Sequence, residues 1–70
     1  MSEELKTSLK VHRAIHNLTQ AELAERIGVT RKSINAIEMG HMVPSTVLAL
    51  KLARVLQTSV EQLFALPDAD

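Results

Sequence analysis

The sequence has no cysteine among its 70 residues. Disulfide bonds, thiolate metal sites and cysteine nucleophiles are therefore excluded. The three histidines do not recur at the spacing of metal ligands, so neither a metal nor another cofactor is expected. No nucleophile–base set, paired carboxylate site or phosphate-binding loop is visible either, and the sequence predicts a protein that is not an enzyme.

Targeting signals and long apolar runs are also missing. The start, Met1 to Glu4, is acidic and lacks the cationic and apolar regions of a signal peptide. The stretch from Val47 to Leu56 is apolar, but Lys51 and Arg54 interrupt it, so no membrane partner is expected. The lack of cysteine suits an intracellular protein, and we expect a cytoplasmic location.

The sequence has no excess of charge of either sign, because eight basic residues balance eight acidic ones. This balance argues against indiscriminate binding to polyanions. It does not exclude a specific DNA site, because the distribution of charge matters more than its sum. Several acidic residues lie near the two ends, whereas Arg26, Arg31 and Lys32 lie in the middle.

Helix signals are frequent in the middle of the sequence. The residues Thr19 to Glu22 form a capping box that starts a helix, and Gly28 ends it. Thr30 is a favourable N-cap for a second helix, from Arg31 to about Met39. Two short helices separated by a tight turn predict a helix-turn-helix over about residues 20–39.

Three further helices flank this pair. The first runs from Leu9 to His16, and another from Thr46 to Gln57. The latter has a stripe of small and aliphatic residues predicted to be buried: Leu48, Ala49, Leu52, Ala53 and Leu56. A second capping box, Ser59 to Gln62, starts a short last helix that carries Val60, Leu63 and Phe64 and that Pro67 ends. No linker or repeat is visible, so residues 1–70 are predicted to form a single all-α domain of five helices.

The order and spacing of these signals resembles the Xre/Cro-type family of phage-repressor-like DNA-binding domains. The matching residues are Leu18–Ala24, Gly28–Arg31, Ile34, Ile37-Glu38, Gly40, Pro44-Ser45 and Val60–Phe64. The resemblance covers about Leu9 to Phe64 and implies a compact five-helix bundle whose third helix enters the DNA major groove. It implies a dimeric transcriptional regulator of bacterial or phage origin. It also leaves room for a minor terminal β-ribbon between Leu5–Ser8 and Ala65-Leu66.

Polar residues at the start of the second and third helices are the candidates for contacts with double-stranded DNA. A helix N-terminus attracts phosphate, which suggests a phosphate contact for Gln20. Arginine and lysine can donate to guanine edges, asparagine to adenine or phosphate, and hydroxyls to phosphates. The predicted set is Gln20, Thr30, Arg31, Lys32, Ser33 and Asn35. The alternative is an ordinary solvated helix face with an exposed glutamine in its first turn.

Arg13 and Glu38 form a second candidate pair. The resemblance implies an ion pair between the first helix and the end of the third, and both residue types are present here. Such a pair would fix the recognition helix to the rest of the bundle. The alternative is two unrelated surface charges.

A homodimer is expected for two reasons. A core this small is marginal for a monomer, and one recognition helix reads too few base pairs to find a single site in a genome. The predicted dimerisation segment is about residues 58–66, with Val60 and Leu66 at the interface and Phe64 at its edge. The alternative is that Leu63 and Phe64 only close the core.

Three functions remain open at this point. The first is a sequence-specific transcriptional regulator, a repressor that binds a palindromic operator as a homodimer. The second is an antitoxin or a restriction-modification controller that binds its own promoter and a protein partner. The third, a helical interaction module without a DNA role, is disfavoured by the basic outer face of the third helix.

Overall fold

The computed structural model describes residues 5–67. These residues form a short antiparallel ribbon and five helices, in the order β1 (Lys6–Thr7), α1 (Leu9–Ile15), α2 (Gln20–Ile27), α3 (Arg31–Glu38), α4 (Thr46–Val55), α5 (Val60–Leu63) and β2 (Phe64–Ala65). The five-helix bundle expected from the sequence is confirmed, and so is the minor ribbon. No helix within residues 5–67 is long and apolar enough to cross a membrane.

Side-chain caps start four of the five helices. Thr19, Thr30, Ser45 and Ser59 each accept a hydrogen bond from the backbone N–H three residues further on. The box at α2 is reciprocal, because the Thr19 N–H also donates to Glu22 Oε1 at 2.8 Å. At α5 the structure shows the Ser59 half of the box, a 3.1 Å bond from the Gln62 N–H. These caps fix where α2 and α3 begin.

The capping box also affects the titration of Glu22. Hydrogen bonds from Thr19, chiefly from its backbone N–H, lower the pKa of the Glu22 carboxyl, and Arg26 adds a smaller attraction. A lowered pKa in the folded state stabilises the fold fully above the ordinary glutamate pKa. That contribution is lost as the pH falls through the lowered value.

The last helix is shorter than predicted. The prediction that Phe64 continues the helix towards Pro67 is wrong, because Phe64 is extended, with φ −133° and ψ 145°. Phe64 pairs with Thr7 in the ribbon, and the Ser8 N–H donates to the Leu63 carbonyl at 2.8 Å. Pairing with the N-terminal strand therefore ends the helix. It also shifts the ribbon by one residue from the expected Ala65-Leu66.

The core lies where the helices meet. Leu9, Leu23, Ile34, Leu52 and Leu63 are fully buried, one from each helix. The stripe predicted on α4 is confirmed, since Leu48, Ala49, Leu52, Ala53 and Leu56 are all buried. The inner sides of α2 and α3 pack on this core, which leaves their polar sides facing outward.

Gly28, which ends α2, gives the first testable prediction. Its φ is +81°, and nothing lies within 4 Å of the position that a Cβ would take. A side chain there would meet backbone strain rather than a clash, so Gly28→Ala should lower the free energy of unfolding by about 1 kcal/mol. Gly28→Asn should cost less, because asparagine tolerates left-handed backbone. Urea unfolding measures both, and equal losses would contradict the explanation.

Candidate nucleic-acid interface

The polar face of the helix-turn-helix is built from the first residue of α2 and the outer side of α3. Ile34 and Ile37 point into the core, so Arg31, Lys32 and Asn35 are exposed on the other side of α3. Gln20 is half-buried at the start of α2. The structure therefore brings residues from both helices to one surface.

Hydrogen bonds join this surface into a network. Gln20 Nε2 donates to Asn35 Oδ1 at 3.1 Å and to Glu38 Oε1 at 3.0 Å. Arg31 Nη1 donates to Gln20 Oε1 at 3.2 Å. Gln20 is thus the residue through which α2 contacts both ends of α3. No sequence pattern predicts this role, because the bonds depend on how the two helices cross.

Thr30 and Ser33 form a smaller pair at the start of α3. Thr30 Oγ1 accepts from the Ser33 N–H at 3.2 Å and lies 3.1 Å from Ser33 Oγ. The Thr30 oxygen therefore acts first as a helix cap. One of the two hydroxyls keeps a hydrogen for an acceptor outside the protein, since only one of them donates to the other.

Arg13 and Glu38 lie in direct contact. Arg13 Nε is 2.7 Å from Glu38 Oε2, and Arg13 Nη2 is 3.3 Å from Glu38 Oε1. Arg13 Nη1 also donates to the Leu18 carbonyl at 2.9 Å. The two side chains are 16% and 5% exposed, so the pair is largely removed from water. It connects α1, the segment before α2 and the end of α3, and it neutralises a carboxylate beside the polar face.

The residues predicted for a dimer interface have different surroundings. Leu63 is fully buried and Phe64 is 8% exposed, so both close the core and Phe64 has little surface left for a partner. Val60 is half-buried, whereas Leu66 is 66% exposed.

Val60 and Phe64 line an open apolar groove together with Leu5, Val43, Pro44 and Leu50. The groove lining, all of it within residues 5–67, includes no charged side chain. Val43 lies before α4, Val47 and Leu50 lie on α4, and all three side chains are exposed. The sequence did not lead us to predict this exposed apolar face, which is separate from the buried stripe of α4. A signal was present, because α4 carries apolar residues well outside its buried stripe.

The family follows from comparison with known proteins. A helix-turn-helix family model matches residues 3–63. The chain belongs to this family. The resemblance to Xre/Cro-type domains is thereby confirmed, and the chain is a helix-turn-helix transcriptional regulator. The family and its relatives are DNA-binding regulators rather than enzymes.

Relatives of similar length support this assignment. The regulator is 45% identical over 64 residues to an uncharacterized HTH-type transcriptional regulator of Methanocaldococcus jannaschii, covering 91% of this chain and 97% of the relative. It is 39% identical over 64 residues to one of Bacillus subtilis, with the same coverage of 91% and 97%.

Solved structures show the same fold. The restriction-modification controller protein C.AhdI from Aeromonas hydrophila matches with a TM-score of 0.73 and 34% identity, over 80% of this chain and 81% of that one. The clp gene regulator ClgR from Corynebacterium glutamicum matches with a TM-score of 0.72 and 30% identity, over 77% of this chain and 57% of that one.

The contact between Arg13 and Glu38 gives the second prediction. Arg13→Ala leaves a nearly buried carboxylate without its cation, so it should lower the free energy of unfolding by about 3 kcal/mol. In a double-mutant cycle with Glu38→Ala, the combined loss should be smaller than the sum of the single losses. Equilibrium chemical denaturation measures the free energy of unfolding of the parent protein, the two single variants and the double variant. Arg54→Ala, at an exposed position on α4, is the control and should change stability by less than about 0.5 kcal/mol. Strict additivity would show that the two side chains do not interact.

Proposed function

We propose that this regulator is a repressor that binds a palindromic operator in double-stranded DNA as a homodimer. The observation that carries the proposal is the continuous polar face at the start of α2 and α3, with Arg31 and Lys32 exposed on it. The only carboxylate hydrogen-bonded into this network among the described residues, that of Glu38, is neutralised by Arg13. A phosphate backbone can therefore approach without direct repulsion from it.

Each residue type on this face has a DNA group that it suits. Arg31 uses one donor on Gln20, and its other donors can bind O6 and N7 of guanine. Lys32 suits the same edge, while Thr30 and Ser33 suit phosphates. Asn35 accepts from Gln20 and retains its own amide hydrogens for a base or a phosphate. Gln20 lies at the N-terminus of α2, where the helix end suits a phosphate of the DNA backbone.

The apolar groove beside α4 and α5 supports the homodimer. A groove without charged lining, rimmed by exposed Val43 and Leu50, loses unfavourable contact with water when a second copy covers it. Val60 and Leu66 extend this interface, and Phe64 contributes only the floor of the groove. Two-fold pairing presents two recognition helices about 34 Å apart, one DNA turn, so that each reads a half-site. A repressor of this kind needs only to occupy a promoter.

A restriction-modification controller is the second candidate. Its support is the likeness to C.AhdI, which extends over 80% of this chain. This function predicts a binding site upstream of the regulator's own gene, beside genes for a nuclease and a DNA methyltransferase. Mapping bound sites across the source genome distinguishes it from a repressor of unrelated genes. A separate pull-down from the same cells tests for the protein partner that an antitoxin requires.

Selection of bound duplexes from a random library tests the proposed function directly. The purified regulator should enrich a palindrome with half-site centres about one DNA turn apart. Enrichment of a single unsymmetrical site would contradict the homodimer, and no enrichment at all would contradict specific DNA binding.

Arg31 gives the third prediction. Arg31→Ala should weaken binding to the selected palindrome by about 1–3 kcal/mol and relax the preference at one position of each half-site. Titration of labelled duplexes measures both effects. Arg54→Ala removes the same charge from an exposed site on α4 and should leave the preference intact. An equal loss on palindromic and random DNA would mean that Arg31 binds only the backbone.

The groove gives the fourth prediction. Leu50 is 57% exposed, so Leu50→Glu should leave the core intact while placing a charge in the dimer interface. Sedimentation at micromolar concentration should show a dimer for the parent protein and a monomer for this variant. Ile15→Glu is the matched control, because Ile15 is 65% exposed on α1 and outside the groove lining. A parent protein that sediments as a monomer and binds DNA as a single copy would contradict the prediction.

A further inference from the structure

A second groove runs between the end of α2 and the exposed side of α4. Two adjoining clefts form it, and Ile27 and Lys51 line both of them. The larger cleft, of about 440 Å³, is also lined by Arg26 and Arg54, and the smaller one by Val47. We call this surface the α2–α4 groove. None of its lining residues belongs to the polar face or to the groove assigned to the dimer.

The rim of the α2–α4 groove carries three positive charges. Arg26, Lys51 and Arg54 are all exposed, and none of them forms an ion pair with another residue in the range 5–67. A helix C-terminus favours a cation, which accounts for Arg26 in the last turn of α2. It does not account for Lys51, which lies in the middle of α4. The three cations therefore share one groove without a paired carboxylate on the described part of the chain.

The floor of the α2–α4 groove is aliphatic. Ile27 and Leu48 are buried there and Val55 is half-buried. Val47, at the edge, is 63% exposed. A ligand that carries only charge leaves this apolar surface in water, whereas a ligand with aliphatic side chains covers it. The carboxylate of Glu25 also lines the groove, and it repels a polyanion such as DNA.

We propose that the α2–α4 groove binds an acidic segment of a partner protein. Aliphatic side chains of the segment cover the floor, and its carboxylates pair with Lys51 and the two arginines. The ten residues of α4 extend for about 15 Å, which is enough to follow about three turns of a peptide helix. This binding site goes beyond the proposed function of the regulator and does not depend on its binding to DNA.

A second copy of the regulator is a poorer occupant of this groove. Two-fold pairing brings the same surface of each copy together. The rims would then place Arg26, Lys51 and Arg54 of one copy against the same three cations of the other. The apolar groove beside α5 has no charged lining and is free of this repulsion.

The test begins with a phage-displayed library of random peptides, selected on the purified full chain. Enriched peptides should combine aspartate or glutamate with leucine, isoleucine or valine. The most enriched peptide, synthesised with a fluorescent label, is then titrated with the regulator and followed by fluorescence anisotropy. Physiological ionic strength is used, because exposed charges more than about 8 Å apart are then largely screened.

Substitutions at Lys51 locate the site. Lys51→Glu places a negative charge where the two clefts meet and should weaken peptide binding about tenfold. Lys51→Gln removes the charge without reversing it and should weaken binding by a smaller factor. Val47→Thr keeps the shape of the side chain but makes it polar, so it should also weaken binding. Lys10→Glu changes the net charge as Lys51→Glu does, at an exposed site on α1, and should leave the affinity at the parent value.

Results with the peptide library can overturn the proposal. A selection that enriches no peptide, or only peptides without acidic residues, contradicts the stated chemistry of the partner. An affinity that Lys51→Glu and Lys51→Gln both leave unchanged places the peptide elsewhere. An equal loss in Lys51→Glu and Lys10→Glu shows attraction to net charge rather than a site.

Two other occupants are tested with the same variants. If Lys51→Glu weakens binding to every duplex and lowers the slope of log K against log salt, while Lys10→Glu does not, the groove binds the DNA backbone and the proposal is wrong. If Lys51→Glu changes the sedimentation of the free regulator, the groove is an interface between copies, and the proposal is again wrong. We expect DNA binding and sedimentation to stay at the parent values.

Discussion

The carboxylate of Glu38 is the group on which the rest of the interface depends. It is nearly buried at the end of α3, where an unpaired charge would be strongly unfavourable. Arg13 compensates that charge from α1 in a two-bonded contact, which also fixes the angle of α3 against the bundle. A buried ion pair is weak support for stability by itself, because both charges lose their hydration. Its value here lies in geometry, since the carboxylate also accepts from Gln20 and so joins the start of α2 to the end of α3.

The helix-turn-helix obtains its shape from local features first and from packing second. Caps at Thr19 and Thr30 fix the start of each helix, and Gly28 permits the turn between them. The buried faces then determine how the helices cross, through Leu23 on one side and Ile34 on the other. The polar residues face outward as a consequence of these two choices.

Much of the fold was predictable because the decisive signals are short-range. The caps, the left-handed glycine and the buried stripe of α4 depend on residues only a few positions apart. The extended conformation of Phe64 was not predictable in this way, because the strand that ends its helix lies far from it in the sequence, before α1. The site follows the same division: the sequence indicated which side chains lie on the polar face. It did not indicate that Gln20 bonds Glu38 and Asn35, which depends on the crossing of two helices.

The ribbon between β1 and β2 has a consequence for how the molecule is made. The N–H of Ser8, just before α1, is bonded to Leu63, and Phe64 covers the core only once it pairs with Thr7. The N-terminal part of a nascent chain leaves the ribosome first, so α2 and α3 emerge before the residues that close the core. The bundle can be completed only when the last helix has left the exit tunnel. A nascent chain therefore carries its recognition helix before Leu63 and Phe64 are in place to close the core.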